Sequence, residues 1–344
     1  MKRVDSWLAR PAAVAAAIAF SLLANAGAAT LVPTTIQRTD PQTFSLRFET
    51  RAGVKYRVVS GTNLNELQQT VSILDGTGLP QSVPVTRSSE RMLFFRTEEV
   101  AITPITNMIW IPPGAFQMGS PLTEAGRDLD EDPLTQVILP TGFWMGKYEV
   151  TQLEYQAAMG VNPSFFDSDP ELPVESVTWN EAIDYCSRLT TRERTAGRIP
   201  PGFAYRLPTE AEFEYTLRAG TTTRFFFGDD TNLTLVGNYA WHGGNSGDTT
   251  HRVGQKLPNA FGLYDIAGNV WEWCMDWYFD YYPGGIVTNP SGPASGFGRV
   301  LRGGSYSGTA NSAVFCRSAM RNYAFSPSYA RSYVGFRVVL APSL

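Results

Sequence analysis

The sequence predicts an α+β protein in which a small all-β module precedes a larger domain with little regular secondary structure. Three observations support this fold class. Apolar and polar residues alternate through much of residues 31–102, three helix-start motifs lie between residues 151 and 220, and roughly 120 residues after Gly220 show no helical period. The composition agrees, because the 344 residues include 31 glycines and 23 prolines without a collagen-like repeat.

The alternation is clearest in short stretches of the first module. Phe44, Leu46 and Phe48 alternate with polar residues, and residues 56–64 and 92–96 continue the pattern. Such stretches, separated by Gly, Asn and Ser, are typical of antiparallel strands. Residues 56–64 also resemble small β-sandwich modules of bacterial exported proteins. We therefore predict a β-sandwich-like module over residues 31–102 and a second domain over residues 105–344.

Each predicted helix begins with a capping box, a threonine followed three residues later by a glutamate. The boxes predict helices over residues 151–160, 178–197 and 209–220, each ended by a glycine. The threonine hydroxyl accepts a free backbone N–H, and the glutamate reaches back to the threonine N–H. The loop-rich remainder needs fixed points, and metal ions or buried arginine–carboxylate pairs are the usual ones.

The N-terminus has the three parts of a secretory signal. Basic residues precede an apolar run at 12–24, and small-x-small motifs follow at 24–26 and 26–28. Thirteen helical residues span about 20 Å, less than the roughly 30 Å of a bilayer core, so a membrane anchor is the less favoured alternative. We expect residues 1–28 to be removed, leaving a periplasmic or extracellular protein of bacterial origin with no membrane span.

The charge and the histidine count exclude several functions. A net charge of −4 provides no basic field for nucleic acid, and two histidines cannot form a three-histidine metal site. The three cysteines, Cys186, Cys274 and Cys316, allow at most one disulfide. A Cys274–Cys316 bridge and three buried free thiols are the two outcomes that we expect equally.

Six motifs resemble, in order, those of the sulfatase-modifying factor family, which includes the formylglycine-generating enzyme. They are MIWIPPGAFQMG at 108–119, MGKYEVT at 145–151, RLPTEAEFE at 206–214, FGLYDIAGNVWEW at 261–273, RVLRGGS at 299–305 and VGFR at 334–337. The resemblance covers about 105–341 and implies a variant of the C-type-lectin fold with bound calcium. It also implies a copper(I) site of two cysteines, which oxidises a substrate cysteine with O₂.

The two copper positions carry no thiol in this chain. Counted from the Gly-Gly-Ser motif, the family's cysteines fall on Gly308 and Ala313. Soft thiolates suit Cu(I), and a single nearby thiol, Cys316, cannot form the two-coordinate site. We therefore expect copper to be absent and the copper oxidase activity to be lost.

The resemblance implies a calcium site at the FGLYDIAGNVWEW motif. The side chains of Asp265 and Glu272 and the carbonyls of Gly268 and Val270 match the family's ligands, and hard oxygen donors suit Ca²⁺. The alternative is a turn followed by a strand whose Glu272 pairs with an arginine. A weaker second site would use Asn238, Asn245 and Asp248.

Four residues are candidates for a ligand groove near the Gly-Gly-Ser motif: Trp271, Ser305, Cys316 and Arg321. The alternative for Trp271 is core packing. For the six arginines of the last 46 residues, the alternative is pairing with Glu272, Asp276 or Glu214. The acidic residues at 124–132 are expected to form a solvated face, and His242 and His251 to be exposed or structural.

These observations favour an exported member of the family that is stabilised by calcium and either binds a peptide or protein ligand or serves a structural role. Residues 305–333 are rich in Ser, Ala, Tyr and Asn, as in the family's ligand-binding branch. The alternative is an oxidative enzyme of the superfamily, formylglycine-generating or a periplasmic tailoring oxidoreductase, that works without the cysteine pair.

Overall fold

The computed structural model describes six strand segments in residues 34–100, together with residues 107–199, 202–324 and 326–342. The predicted signal peptide at 1–28 lies outside these residues. The chain divides into two compact units, Met1–Val100 and Ala101–Leu344. No helix in the described part of the chain is long and apolar enough to span a bilayer.

The first unit contains two three-stranded antiparallel sheets. Its strands are β1 Thr34–Arg38, β2 Thr43–Phe48, β3 Lys55–Gly61, β4 Gln69–Asp75, β5 Gln81–Thr86 and β6 Phe94–Val100. The strand orders are β1-β2-β5 and β4-β3-β6. In β2, Leu46 and Phe48 are buried while Arg47 is exposed, which confirms the predicted alternation in this strand.

The second unit begins its three helices at the predicted capping boxes. They are α1 Gln152–Met159, α2 Trp179–Thr195 and α3 Glu210–Arg218. Thr151, Thr178 and Thr209 each accept the N–H of the glutamate three residues on, and all three boxes are complete. After α3 the described residues contain short strands and 3₁₀ helices but no further α-helix, as predicted.

Eleven short strands of the second unit form three sheets. They are β7 Met108–Ile111, β8 Gly114–Met118, β9 Thr135–Leu139, β10 Phe143–Gly146, β11 Phe203–Arg206, β12 Trp271–Trp277, β13 Gly285–Thr288, β14 Arg299–Arg302, β15 Arg321–Ala324, β16 Val334–Gly335 and β17 Val339–Pro342. The strand orders are β11-β17-β10-β7, β15-β14-β12-β16 and β13-β9-β8. A buried core that includes Phe143, Phe213 and Cys274 joins the sheets to α3.

Buried arginine–glutamate pairs connect segments that are far apart in sequence. Glu272 pairs with Arg337 and Glu214 with Arg302, as two of the predicted pairings anticipated. Arg321 instead pairs with Glu210, and Arg317 with Glu131 and Glu124. Each of these buried glutamates and arginines has a partner of opposite charge, which helps the long loops to keep one conformation.

The acidic segment at 124–132 differs from the solvated face that we expected. Glu131 is fully buried, and both it and Glu124 accept from Arg317, at 2.9 and 2.8 Å. Asp130 accepts the Tyr278 hydroxyl at 2.5 Å. The carboxylates of Asp128, Asp130 and Glu131 lie close enough to share an ion. Because two of these carboxylates already have protein partners, the segment has a structural role.

Candidate functional site

A tight turn at residues 303–306 lies against the 268–270 turn. Gly268 N–H donates to the Gly303 carbonyl at 2.8 Å, and Tyr306 N–H donates to the Asn269 carbonyl at 2.7 Å. Gly304 has φ +80°, and an added Cβ would lie 2.8 Å from the Phe315 carbonyl oxygen. A glycine is therefore required at position 304, where the Phe315 backbone approaches closely.

This contact places two predicted groove residues, Trp271 and Ser305, in the same region. Trp271 begins β12 and its ring lies 6.3 Å from that of Phe315. Both Trp271 and Ser305 are buried, but Phe315 is 40% exposed. Trp271 is thus packed in the interior, and the partly exposed ring of Phe315 lies next to it.

An aromatic face surrounds the turn. Tyr306 contacts Phe166 edge to face at 5.5 Å, Phe166 contacts Phe165 at 4.9 Å, and Phe165 is 72% exposed. The Tyr306 and Ser332 hydroxyls are 3.0 Å apart. We call the two ring clusters that flank residues 303–306, Phe165–Phe166–Tyr306 and Trp271–Phe315, the aromatic face; Phe165 and Phe315 are its most exposed rings. Exposed rings of this kind bury large apolar area when a ligand covers them.

The third predicted groove residue, Cys316, is inaccessible. It ends the 3₁₀ helix Ala310–Cys316 within the hydrophobic core, and burial raises the pKa of its thiol to about 12. All three cysteines are free and buried. The structure therefore has three free thiols, one of the two expected outcomes, and lacks the Cys274–Cys316 bridge.

Gly308 and Ala313 lie in a closely packed part of the same loop. Gly308 has φ +120°, and an added Cβ would lie 2.9 Å from the Ser312 Cβ. Gly243 packs against the Gly308 carbonyl and donates its N–H to the Ser312 hydroxyl at 3.0 Å. Ala313 is buried. A larger side chain at position 308 would require the backbone to move.

Arg321 does not join the aromatic face. Its Nε and Nη2 donate to Glu210 at 2.8 and 2.7 Å, and its Nη1 donates to the carbonyls of Asp130 and Phe279. The guanidinium also lies over the Tyr278 and Tyr282 rings. It therefore belongs to a different cavity of the second unit.

Three buried carboxyl groups surround the predicted calcium motif. Glu272 is paired with Arg337, Asp265 accepts the Gly254 N–H at 2.6 Å, and Glu149 accepts from Asn269 and Val270. Burial raises the pKa of Glu149 well above its ordinary value, and the charges of Asp265 and Glu272 raise it further. Burial raises the pKa of Asp265 to about 6.

The donor set around Asp265 fits a cation. Asp265 Oδ1 is buried and has no hydrogen-bond partner, which is unusual for a carboxylate oxygen. Three carboxyl groups there interact with two cations, the fully buried Arg337 and the partly buried Lys256, so carboxyl groups outnumber cations. Glu272 has both oxygens on Arg337, as in the alternative that we considered. The sequence reasoning did not identify Glu149, because its acceptor role depends on a contact 120 residues away.

The residues of the weaker second site have their own backbone contacts. Asn245 accepts the His242 N–H and donates to the Ala240 carbonyl. Asn238 ends a 3₁₀ turn, and Asp248 has φ +59° in the following loop. His242 is buried, and His251 stacks on Trp241 with ring centroids 3.7 Å apart. Both histidines therefore have structural roles.

The comparisons with known proteins agree with this architecture. The sequence profile of the FGE-sulfatase family, described as "Sulfatase-modifying factor enzyme 1-like domain", matches residues 95–342. The formylglycine-generating enzyme of Bos taurus is 30% identical over 296 residues, covering 68% of this chain and 75% of the bovine protein.

Two solved structures share the fold. Treponema denticola variable protein 1 has a TM-score of 0.59 and 33% identity, covering 67% of this chain and 94% of that protein. PvdO from Pseudomonas aeruginosa has a TM-score of 0.57 and 31% identity, covering 68% and 93%. The second unit is thus an α+β domain of the formylglycine-generating-enzyme type, with a C-type-lectin-like fold. The chain belongs to the sulfatase-modifying factor enzyme 1-like family.

Proposed function

We propose that this protein is an exported, calcium-stabilised module of its family that binds a peptide or protein ligand at the aromatic face and has no copper oxidase activity. The observation that carries the proposal is the close packing of other atoms around Gly308. There the backbone conformation and the Ser312 side chain leave no room for a cysteine. A loop packed in this way supports a role other than copper-dependent oxidation.

The chemistry of the remaining thiol supports the same conclusion. A thiolate, not a thiol, binds copper and attacks substrates. Cys316 is 1% exposed, and burial raises its pKa to about 12, so it remains protonated and inaccessible at neutral pH. Cys274 and Cys186 are equally buried. None of the three cysteines can replace the missing pair.

The aromatic face supports ligand binding. Phe165 exposes a large ring in the cluster that includes Phe166 and Tyr306, whose hydroxyl lies 3.0 Å from that of Ser332, and Phe315 exposes a ring near Trp271. Rings next to hydrogen-bonding groups are typical of surfaces that recognise peptide chains.

Calcium would stabilise the loops beneath this face. Asp265, with its unpartnered Oδ1, and the carbonyls of Gly268 and Val270 would hold the ion together with Glu272. When bound, Ca²⁺ would neutralise part of the buried negative charge. The Asn269 carbonyl, in the same turn, accepts the Tyr306 N–H. Calcium that orders the 268–270 turn would therefore also order residues 303–306.

A second candidate is a formylglycine-generating or related oxidative enzyme that uses other groups. The observation in its favour is the 30% identity to the bovine formylglycine-generating enzyme. It would require a redox group other than the cysteine pair near Ser305.

Ligand binding is tested by selecting displayed random peptides on the immobilised mature protein. We expect the enriched peptides to bind the wild type and Phe297→Ala, whose ring is 95% exposed and outside the aromatic face. They should not bind the double variant Phe165→Ala, Phe315→Ala. Equal binding to the double variant would show that the face does not recognise the ligand.

A further inference from the structure

A cavity of about 320 Å³ opens beside the end of β12 and shares no lining residue with the aromatic face. Four aromatic rings lie in its walls: Trp277, Phe279, Tyr281 and Tyr282. Phe279 and Tyr281 are 45% and 57% exposed at the rim, whereas Tyr282 is 5% exposed. The volume falls in the range of small-molecule sites, roughly 300–1,000 Å³.

Asp276 provides a carboxyl group in this cavity. Its side chain is buried, and its Oδ2 accepts the Glu210 N–H at the start of α3 at 2.9 Å. Its Oδ1 accepts no hydrogen bond from the described residues. An added Cβ at Gly292 would lie 3.2 Å from this oxygen, so the absence of a side chain there keeps the approach open.

The other charged residues that line the cavity, Glu210 and Arg321, are paired with each other. Glu210 receives two hydrogen bonds from Arg321, whose remaining donors bind backbone carbonyls. Arg299 is not part of the lining: its guanidinium lies between the Trp179 and Trp277 rings, at 3.7 and 3.6 Å, and donates to the Met275 carbonyl, while its Nε has no hydrogen-bond partner among the described residues. Asp276 forms no ion pair with the arginines and lysines of the described residues, so the cavity offers an acceptor oxygen and no free cation.

We propose that this cavity binds a small organic cation, an ammonium or amidinium group on an apolar or aromatic body, with the charge on Asp276 Oδ1 and the body among the aromatic rings. Cations are attracted to the faces of aromatic rings, and a buried carboxylate adds a charge-assisted hydrogen bond. An anion would find no free donor, because the guanidinium of Arg321 is saturated.

Release of a proton from Asp276 provides a second measurement of cation binding. Burial, together with the nearby charge of Glu210, raises the pKa of Asp276 to about 8. The charged and titratable groups that interact with Asp276 are Glu210, Glu212, Arg321, Arg299, Arg206 and Cys274. A bound cation favours the ionised carboxyl, so binding at pH 7 should release a proton.

Titration calorimetry on the mature protein tests the proposal with a charge series on one body: tryptamine, tryptophol and indole-3-acetate. We expect tryptamine to bind about tenfold or more tightly than tryptophol, and indole-3-acetate not to bind. Asp276→Asn keeps an acceptor for the Glu210 N–H and should abolish the preference for tryptamine. Asp280→Asn, the matched change at an exposed neighbour, should preserve it.

Choline carries a permanent positive charge, so a change in its affinity with pH reports the ionisation of Asp276. It should bind more tightly as the pH rises from 6 to 9. A rim variant, Phe279→Ala, should weaken all cations without unfolding the protein, which keeps the test valid if Asp276→Asn is unstable. Equal affinity for the three indoles, an unchanged preference in Asp276→Asn, or no saturable binding of tryptamine, tyramine, benzamidine or choline would overturn the proposal.

Discussion

Arg337 donates to both carboxylate oxygens of Glu272, from Nε at 2.7 Å and from Nη2 at 2.8 Å, and both side chains are fully buried. The same guanidinium also donates to the carbonyls of Gly146 and Tyr264. One arginine therefore joins β12, the end of β10 and the first part of the predicted calcium motif.

Replacing this arginine should destabilise the domain strongly. Arg337→Met would leave Glu272 buried and unpaired beside Glu149 and Asp265, and breaking a buried pair in this way costs about 3–5 kcal/mol. Urea unfolding of the mature protein measures the loss. The matched control is Arg188→Met, because Arg188 and Asp184 form an exposed pair on α2 and its loss should cost less than about 1 kcal/mol. Equal losses in the two variants would contradict the assigned role of Arg337.

The sequence identified the local features of this fold and missed most of the distant pairings. Thr151, Thr178 and Thr209 could be assigned as helix starts because a capping box is complete within four residues. The partner of Arg317, Glu131, lies 186 residues away. No local pattern encodes such a contact, so the sequence predicts a solvated segment around Glu131.

In the candidate site, too, only the features that lie in continuous stretches of sequence could be predicted. The Gly-Gly-Ser motif and Trp271 could be located from sequence because they form continuous motifs. The cavity around Asp276 could not, because its walls come from segments between Met118 and Arg321 that only the folded sheets bring together. Arg321 was assigned to the groove because it is close in sequence to Ser305, whereas its side chain binds Glu210.

Calcium should raise the stability of the metal-free protein. An ion that binds only the folded state adds RT ln(1 + [L]/Kd), or about 2.7 kcal/mol at a hundredfold excess over Kd. We expect calcium to raise the melting temperature of the wild type by several degrees. Asp265→Ala should remove this response, because it deletes the unpartnered oxygen. Identical melting curves with and without calcium, on protein shown to be metal-free, would contradict the site.

Asp276 should make stability fall as the pH rises. Burial raises the pKa of Asp276 from 3.8 to about 8, so between these values the folded state keeps a proton that the unfolded state releases. The contribution of Asp276 to stability is therefore full below pH 4 and is lost as the pH rises toward 8, by up to about 1.4 kcal/mol per pH unit.

Asp276→Asn removes this group, so the variant should gain stability relative to the wild type as the pH rises from 4 to 8. Chemical unfolding at four pH values measures the difference. Asp280→Asn is exposed and should show no such trend. A constant difference between Asp276→Asn and the wild type across this range would show that Asp276 ionises normally.

The central claim is that this family member has lost copper-dependent oxidation, and the most direct measurement is the conversion of a Cys-x-Pro-x-Arg peptide. The mature protein is treated with Cu(I), separated from excess metal and incubated with the peptide under O₂, with the bovine formylglycine-generating enzyme as the positive control. We expect no tightly bound copper and no aldehyde above the no-enzyme control, detected by mass spectrometry after hydrazide capture. Aldehyde formation that persists in Cys316→Ser would show that other groups perform the oxidation, and aldehyde that disappears in this variant would show that Cys316 is reactive; either result would contradict the account.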